Sequence, residues 1–378
     1  MATIRNFSRR LFIISNIVAV ILFLLACANT FLHPGQWWFI SLLGLIFPLL
    51  LLIVLAFFIF ALFFPSCRRW SLVSLTALIL GWPNIHSFWA FHPGNSFQTA
   101  KQPHTLRILT WNIRSFDDYI TKKKGASGHR PRMLEFIAAQ NADVVCLQEF
   151  YTSRKPPSHD DNLTFIRDQM HYPYSYFSRD YARPDGSYES GVVIFSRYPF
   201  ADSLLMRYPR EDKLTAQESL IAVDILTGRD TIRIFTTHLQ SVLFKSKDFR
   251  DIEIIKNVDD SILMASRSIA KKLRHAFRLR GNQAEQVRAE LDKSPHPALI
   301  CGDFNDVPNS YTYFTIRAGW QDAFIKKGFG IGRTYVHISP TLRIDYILAD
   351  PRLPVAQCRK FSLPWSDHNP VIADLQLP

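Results

Sequence analysis

Acidic residues are missing from the first quarter of the chain. Residues 1–95 contain neither Asp nor Glu, their only formal charges are Arg5, Arg9, Arg10, Arg68 and Arg69, and the first acid is Asp117. A soluble surface interleaves both signs, so this absence excludes an ordinary globular domain there and reads as a membrane composition. Cysteine is also sparse. Five cysteines with no CxxC pair and no Cys/His cluster exclude a disulfide framework and a structural zinc site. Cys146 and Cys301 lie in the apolar runs Val144-Val145-Cys146-Leu147 and Leu299-Ile300-Cys301-Gly302, where a buried free thiol is the ordinary state. Internal repeats are absent too, which excludes a solenoid. The net charge of +12 draws partly on the acid-free segment, so it does not demand a nucleic-acid partner, although a basic domain suits an anionic substrate.

What the first part of the chain does have is long apolar runs. Residues 11–28 and 42–64 are each long enough to cross a hydrocarbon layer, and Pro48 inside the second is tolerable in a membrane helix. A third segment, residues 71–91, is interrupted by Gly81, Pro83, Asn84 and His86, and reads either as a span or as a re-entrant segment. Arg5, Arg9 and Arg10 precede the first run and Arg68 and Arg69 follow the second, which places both flanks in the cytoplasm. Three crossings would then put the rest of the chain outside it. Trp37, Trp38, Trp70, Trp82 and Trp89 fall near the expected interfaces. Leu24-Leu25-Ala26-Cys27 resembles a bacterial lipoprotein signal box, an alternative that also exports the remainder. The expected organisation is a transmembrane region at 1–92, a linker at 93–104 and a catalytic domain at 105–378.

Past the linker, apolar β-prone runs predict strands over Arg107–Ile113, Val144–Gln148, Gly191–Ser196, Leu220–Leu226, Ile232–His238, Ala298–Gly302 and Arg343–Leu348. Helical patterns intervene near Arg132–Gln140 and Ala276–Leu291. The alternation predicts an α/β fold, a four-layer α/β/β/α sandwich of two mixed sheets. Between His238 and Ala298 an insertion carries Arg267, Lys271, Lys272, Arg274, Arg278 and Arg280, with Ile262, Ile269, Leu273 and Phe277 at helical spacing. Two readings stand: a solvated helix face packing its apolar stripe, or a basic amphipathic helix on anionic lipid or at the substrate entrance.

Six short polar segments follow those apolar runs: Thr110-Trp111-Asn112, Leu147-Gln148-Glu149, Thr236-Thr237-His238, Gly302-Asp303-Phe304-Asn305, Arg343-Ile344-Asp345 and Ser366-Asp367-His368. A strand end is where α/β folds keep their chemistry. Together and in this order they resemble the endonuclease/exonuclease/phosphatase superfamily, which includes pancreatic-type deoxyribonucleases, neutral sphingomyelinases and inositol polyphosphate 5-phosphatases. The resemblance covers roughly Thr105 to Pro378.

Phosphate ester cleavage needs a hard cation on a non-bridging oxygen, an activated water in line and help for the departing oxygen. Glu149 offers the carboxylate that Mg²⁺ prefers, with Asn112 beside it as a neutral oxygen ligand. Asp303 and Asn305 alternate along an extended segment and are expected to face one side, with Phe304 on the other. The resemblance implies that Asp303 orients or deprotonates the nucleophile and Asn305 holds the phosphate. It implies that Asp367 is a metal ligand or supports one, that His368 contacts the scissile phosphate or acts as base, and that Asp345 orients His368. His238 would bond the phosphate or protonate the leaving oxygen, with Glu189 as its supporting acid.

The combined reading is a membrane-tethered phosphoesterase requiring Mg²⁺, with Mn²⁺ as the alternative metal. Phosphodiesters of lipid, envelope or nucleic acid are the expected substrates, inositol phosphate-like monoesters the alternative, and membrane lipids the expected partner with no obligate protein partner. A non-catalytic membrane scaffold is the rival, which loss of Glu149 or His368 would have signalled.

Overall fold

The apolar strand runs assemble into two mixed β-sheets in the computed structural model, which describes residues 2–94, 96–117, 128–155, 160–210, 217–228, 230–242 and 262–378. The side chains of Arg5 and Ile262 lie outside the described residues, as does the insertion between 242 and 262. The chain divides into two compact units: residues 1–88 with 242–284 and 307–315, and residues 89–241 with 285–306 and 316–378.

In the second unit, one sheet is built on the parallel pair Thr105–Asn112 and Val144–Thr152, flanked by Val371–Gln376, Val355–Lys360, Glu189–Ser196 and Tyr174–Phe177. The Thr105–Asn112 strand is buried at every position, its apolar and β-branched residues interrupted only by Arg107 before Asn112 ends it. The other sheet runs in the order Gln321–Asp322, Asp345–Ala349, Ala298–Asp303, Thr231–His238, Ser219–Leu226 and Phe200–Arg207. Its one parallel pair is Ala298–Asp303 with Thr231–His238.

Both sheets contribute to one apolar cluster. Leu106, Ile108, Val144 and Cys146 of the first meet Ile221, Val223, Ile234, Leu299 and Ile347 of the second. On the other face of the first sheet, Met133, Leu134 and Ile137 of the helix Arg130–Ala139 pack on Leu109, Trp111, Val145 and Leu147. Five of these strands were not anticipated: Phe200–Arg207 is largely exposed and weakly patterned, and Tyr174–Phe177, Gln321–Asp322, Val355–Lys360 and Val371–Gln376 are short.

Two local features aim the strand ends. Pairing between Val144–Thr152 and Glu189–Ser196 slips between Leu147 and Phe150, and Glu149 in that gap has φ +49°. Such a bulge turns a side chain out of the ladder. Gly302 has φ +136°, and a Cβ there would lie 2.1 Å from the Thr237 carbonyl oxygen. Only glycine lets the two strands approach so closely just before Asp303.

In the first unit the helices are Ala2–Ala28, Pro34–Leu45, Phe47–Phe63, Ser71–Leu80 and Trp82–Phe88. Asn6–Ala28 is long and apolar enough to cross a membrane, and Pro34–Leu45 with Phe47–Phe63 forms a pair bent by 58°. The second expected run is therefore broken at Ile46, where Pro48 opens the next helix and cannot donate a backbone bond. The third is split at Gly81 into helices of 10 and 7 residues, so it is not one continuous span. A Cβ on Gly81 would meet the Phe23 ring at 2.6 Å, which explains a small residue at that break. Leu11, Ile14, Leu52, Phe63, Leu72, Ile79 and Leu80 are exposed on this unit. Within this unit the helix Ile262–Asp292 buries Ile269 and Phe277 as its spacing predicts, while Arg267, Lys271 and Arg274 stay exposed. The Arg274 guanidinium lies over the Trp38 ring at 5.6 Å.

Candidate active site

Strand register brings three predicted residues to one level. Asp303 pairs with His238 across the parallel contact and with Asp345 across the antiparallel one. Asn112, at the end of the other sheet's central strand, closes the gap: its amide Nδ2 donates to Asp303 Oδ2 and to Glu149 Oε1, both at 3.0 Å. Gln148, fully buried, donates to Thr236 Oγ1 at 3.0 Å and so ties the two sheets together beneath the site.

His368 enters from the loop before the last strand. Its Nδ1 lies 2.9 Å from Asp345 Oδ2, and its Nε2 lies 3.7 Å from Asp303 Oδ2. Trp111 Nε1 donates to the His368 carbonyl, and Ser366 Oγ donates to the Asn112 carbonyl while accepting from the His368 amide. The loop is therefore held by three hydrogen bonds rather than by packing alone. Thr334 Oγ1 accepts the backbone N–H of Asp345, and the Tyr335 ring tilts against the imidazole at 5.0 Å.

His238 faces Asp303 from the opposite side. Its Nε2 is 3.6 Å from Asp303 Oδ2 and 4.0 Å from Glu149 Oε1, buried and without a hydrogen-bond partner. Its Nδ1 lies 2.9 Å from Glu218, not Glu189. Glu189 is instead engaged by Arg154 at 2.9 Å and Arg179 at 3.4 Å. The acid behind His238 opens the strand Ser219–Leu226, paired directly with the strand that carries the histidine. A buried Glu just ahead of a buried strand was the signal available in the sequence.

Asn305 departs from the extended geometry expected for it. It has φ +53°, its N–H donates to Asp303 Oδ1 at 2.8 Å, and its Nδ2 donates to the Leu239 carbonyl at 2.9 Å. Asp and Asn commonly close turns through such bonds, and here the turn fixes the Asp303 carboxylate. Phe304 is buried as expected. Asp367 lies 3.4 Å from Arg114 Nε, beside the site's histidine in sequence but not in contact with Glu149 among the described pairs. Arg114 belongs to the run Arg114–Asp117 with positive φ at four successive residues, a strained turn directly after Asn112.

Charge at the site follows from this packing. Burial alone would depress the His368 imidazole, but Asp345 and Asp303 outweigh it and push it from 6.5 up to about 10. Burial likewise opposes protonation of His238, and Glu218, Asp303 and Glu149 raise it well above its ordinary value. Burial lifts Glu218 from 4.5 to about 7 against the pull of His238. Glu218 and His238 share the hydrogen bond at Nδ1. Asp303 is raised by burial first and by neighbouring Asp345 second. A buried carboxylate of raised basicity flanked by two imidazoles is arranged for proton transfer.

Asp303, Asp345 and His368 each bring one ligand atom within 4.8 Å of the others, a spacing a metal ion could use. Both Asp345 oxygens, however, lie within 3.2 Å of His368 Nδ1. Asp345 is thus engaged in orienting His368, and a metal using this trio would have to compete with that hydrogen bond. The hard-oxygen donors that face the site are Glu149, whose side chain is 41% exposed, and the Asn112 amide oxygen, which accepts the Arg114 N–H at 3.1 Å and keeps a second lone pair. Acids outnumber the basic groups that face them here, and oxygen donors without sulfur or free imidazole fit a hard divalent cation.

Residues 109–368 match the Endonuclease/Exonuclease/phosphatase family, and residues 9–88 match a domain of unknown function (DUF8431). No curated protein matches the chain. Among solved structures, an endonuclease/exonuclease/phosphatase from Beutenbergia cavernae DSM 12333 is 22% identical, with 72% of each chain covered and a TM-score of 0.50. The human Nocturnin catalytic domain, solved with a bound sulfate anion, is 17% identical, covering 72% of this chain and 94% of its own, also at 0.50.

Proposed function

Because this chain belongs to the Endonuclease/Exonuclease/phosphatase family, whose members hydrolyse phosphate esters and generally depend on a divalent metal, we propose that it is a membrane-tethered, Mg²⁺-dependent phosphodiesterase. The observation that carries the reading is the placement of Asp303 between His238 Nε2 at 3.6 Å and His368 Nε2 at 3.7 Å, one carboxylate flanked by two acid-oriented imidazoles.

Mg²⁺, held by Glu149 and the Asn112 amide oxygen with Asp367 in support, would polarise a non-bridging phosphoryl oxygen. The chain's own residues account for the proton movements. Asp303, raised by burial and fixed by the Asn112 and Asn305 bonds, takes the proton of the attacking water as its oxygen bonds phosphorus. His368, oriented by Asp345, presents a positive Nε2–H to the phosphoryl group. His238, oriented by Glu218, gives its Nε2 proton to the departing ester oxygen as the phosphorus–oxygen bond breaks. Asn305 supports the reaction by holding Asp303 rather than by reaching the phosphate itself.

The exposed apolar helices of the first unit support membrane attachment, and the arginines at 5, 9, 10, 68 and 69 support cytoplasmic flanks, from which a crossing by the segment split at Gly81 would put residues 93–378 outside the cytoplasm. Lipid or envelope phosphodiesters are then the nearest substrates, with nucleic acid as the alternative. The test is hydrolysis by the detergent-solubilised protein of DNA, RNA, a sphingomyelin-like lipid and an inositol phosphate, with and without Mg²⁺. Magnesium-dependent turnover of a diester supports the reading, and turnover of the monoester alone overturns it.

A further inference from the structure

On the second unit, a hollow of about 510 Å³ counts Lys327, Arg333, Arg359 and Lys360 among its lining residues and no acid among them. Arg333 spends its guanidinium on the Tyr335 and Val336 carbonyls, Lys360 donates to Ser362 Oγ at 2.6 Å, and the Arg359 guanidinium lies over the Phe361 ring at 4.9 Å. None of these three cations forms an ion pair among the described residues. Half-burial first and Arg333 second hold the Lys360 ammonium below its ordinary value.

One wall of the hollow is Phe329, 57% exposed. It pairs antiparallel with Phe91 in a short ribbon and its ring lies 6.2 Å from Phe91 and 6.4 Å from Trp89. Phe91 is 72% and Trp89 42% exposed, so three aromatic side chains stand in water beside a cationic hollow. Water alone would not keep such a ridge on a soluble face, and aromatic rings beside basic residues suit a membrane interface. Trp89 also follows directly in sequence the apolar segment that the first unit ends on.

We propose that this hollow is a binding site for the phosphate headgroup of an anionic phospholipid, the acyl chains running along the ridge of Trp89, Phe91 and Phe329. Arginine and lysine supply charge-assisted donors to phosphate oxygens, and the aromatic ridge supplies the apolar half that free phosphate cannot use. The site is distinct from the catalytic one and is read out by binding alone.

The experiment uses the full chain in a non-ionic detergent and counts bound dihexanoyl phosphatidylglycerol, dihexanoyl phosphatidylcholine or inorganic phosphate by native mass spectrometry. The anionic lipid is expected to bind at least tenfold more tightly than the other two. The double variant Arg359→Gln/Lys360→Gln should lose at least tenfold in that affinity while hydrolysing a soluble phosphodiester at the unchanged rate. Phe329→Ser, which leaves the cations intact, should weaken the lipid and leave inorganic phosphate unaffected. Lipid binding unaltered in both variants overturns the proposal, as does inorganic phosphate or phosphatidylcholine binding as tightly as the anionic lipid.

Discussion

Glu149 is the residue whose chemistry depends most on its backbone. The bulge between Leu147 and Phe150 takes it out of the ladder, and φ +49° points its carboxylate at the Asn112 amide. Glu149→Gln keeps shape and removes one negative charge, so activity should fall by two orders of magnitude or more, with part of it returning at high Mg²⁺. An unchanged rate and unchanged Mg²⁺ dependence would remove Glu149 as the ligand. The partner of His238 is open to an equally simple comparison. Glu218→Gln should lower kcat about 10²-fold, the low end of general acid–base assistance, with little change in KM. Glu189→Gln, whose carboxylate serves Arg154 and Arg179, should leave kcat near wild type. The opposite ranking would restore Glu189 to the role expected from the sequence.

At the scale of the element, Gly302 and Arg107 test how the strands set up the site. Gly302→Ala forces a left-handed backbone on alanine and drives its Cβ into the Thr237 carbonyl. The strain alone is on the order of 1–3 kcal/mol, and chemical denaturation should register at least that loss together with lower activity. Arg107 is fully buried and lies 2.7 Å from Asp374 across two adjacent strands. Asp374→Asn leaves that guanidinium without its counter-charge, and roughly 3–5 kcal/mol of stability should be lost. A loss below about 1 kcal/mol would mean that the Thr99 and Gln140 carbonyls suffice to hold Arg107.

The same strands show why some of this was legible in the sequence. Continuous apolar runs such as Val144–Leu147 and Leu299–Cys301 announce strands buried on both faces, and the polar residues that end them mark the site. Phe200–Arg207, with one face in solvent, carries no such pattern, which is why it was missed. Glu218 could not be separated from Glu189 because both precede buried strands and only strand pairing decides which one stands behind His238. The left-handed turn at Asn305 was likewise hidden, since alternation along a strand and a turn closed by Asp303 share the same four letters.

Taken as a whole molecule, the chain joins a helical unit with exposed apolar side chains to a domain of the Endonuclease/Exonuclease/phosphatase family, and its first unit draws in residues 242–284 and 307–315 from far along the sequence. Sequence disclosed the apolar segments and the interruption at Gly81 but not the break at Ile46, because hydropathy sums over a window and is blind to helix continuity. A reporter fused after Lys101 should signal an extracytoplasmic location, and a cytoplasmic signal would show that the segment split at Gly81 does not cross. Extraction at high pH and high salt should leave the protein with the membrane, whereas release into the soluble fraction would contradict the tether.

The central claim is that two imidazoles on either side of Asp303 divide the work, His238 serving the departing oxygen and His368 the phosphoryl group. The direct test is the rate of His238→Ala and His368→Ala on a series of phosphodiesters whose leaving groups span a range of acidity. With poor leaving groups each variant should lose roughly 10²- to 10⁴-fold. With a very acidic leaving group, which needs no proton, His238→Ala should recover most of the wild-type rate and His368→Ala should not. Equal loss across the series for His238→Ala, or recovery by His368→Ala instead, would contradict the assignment.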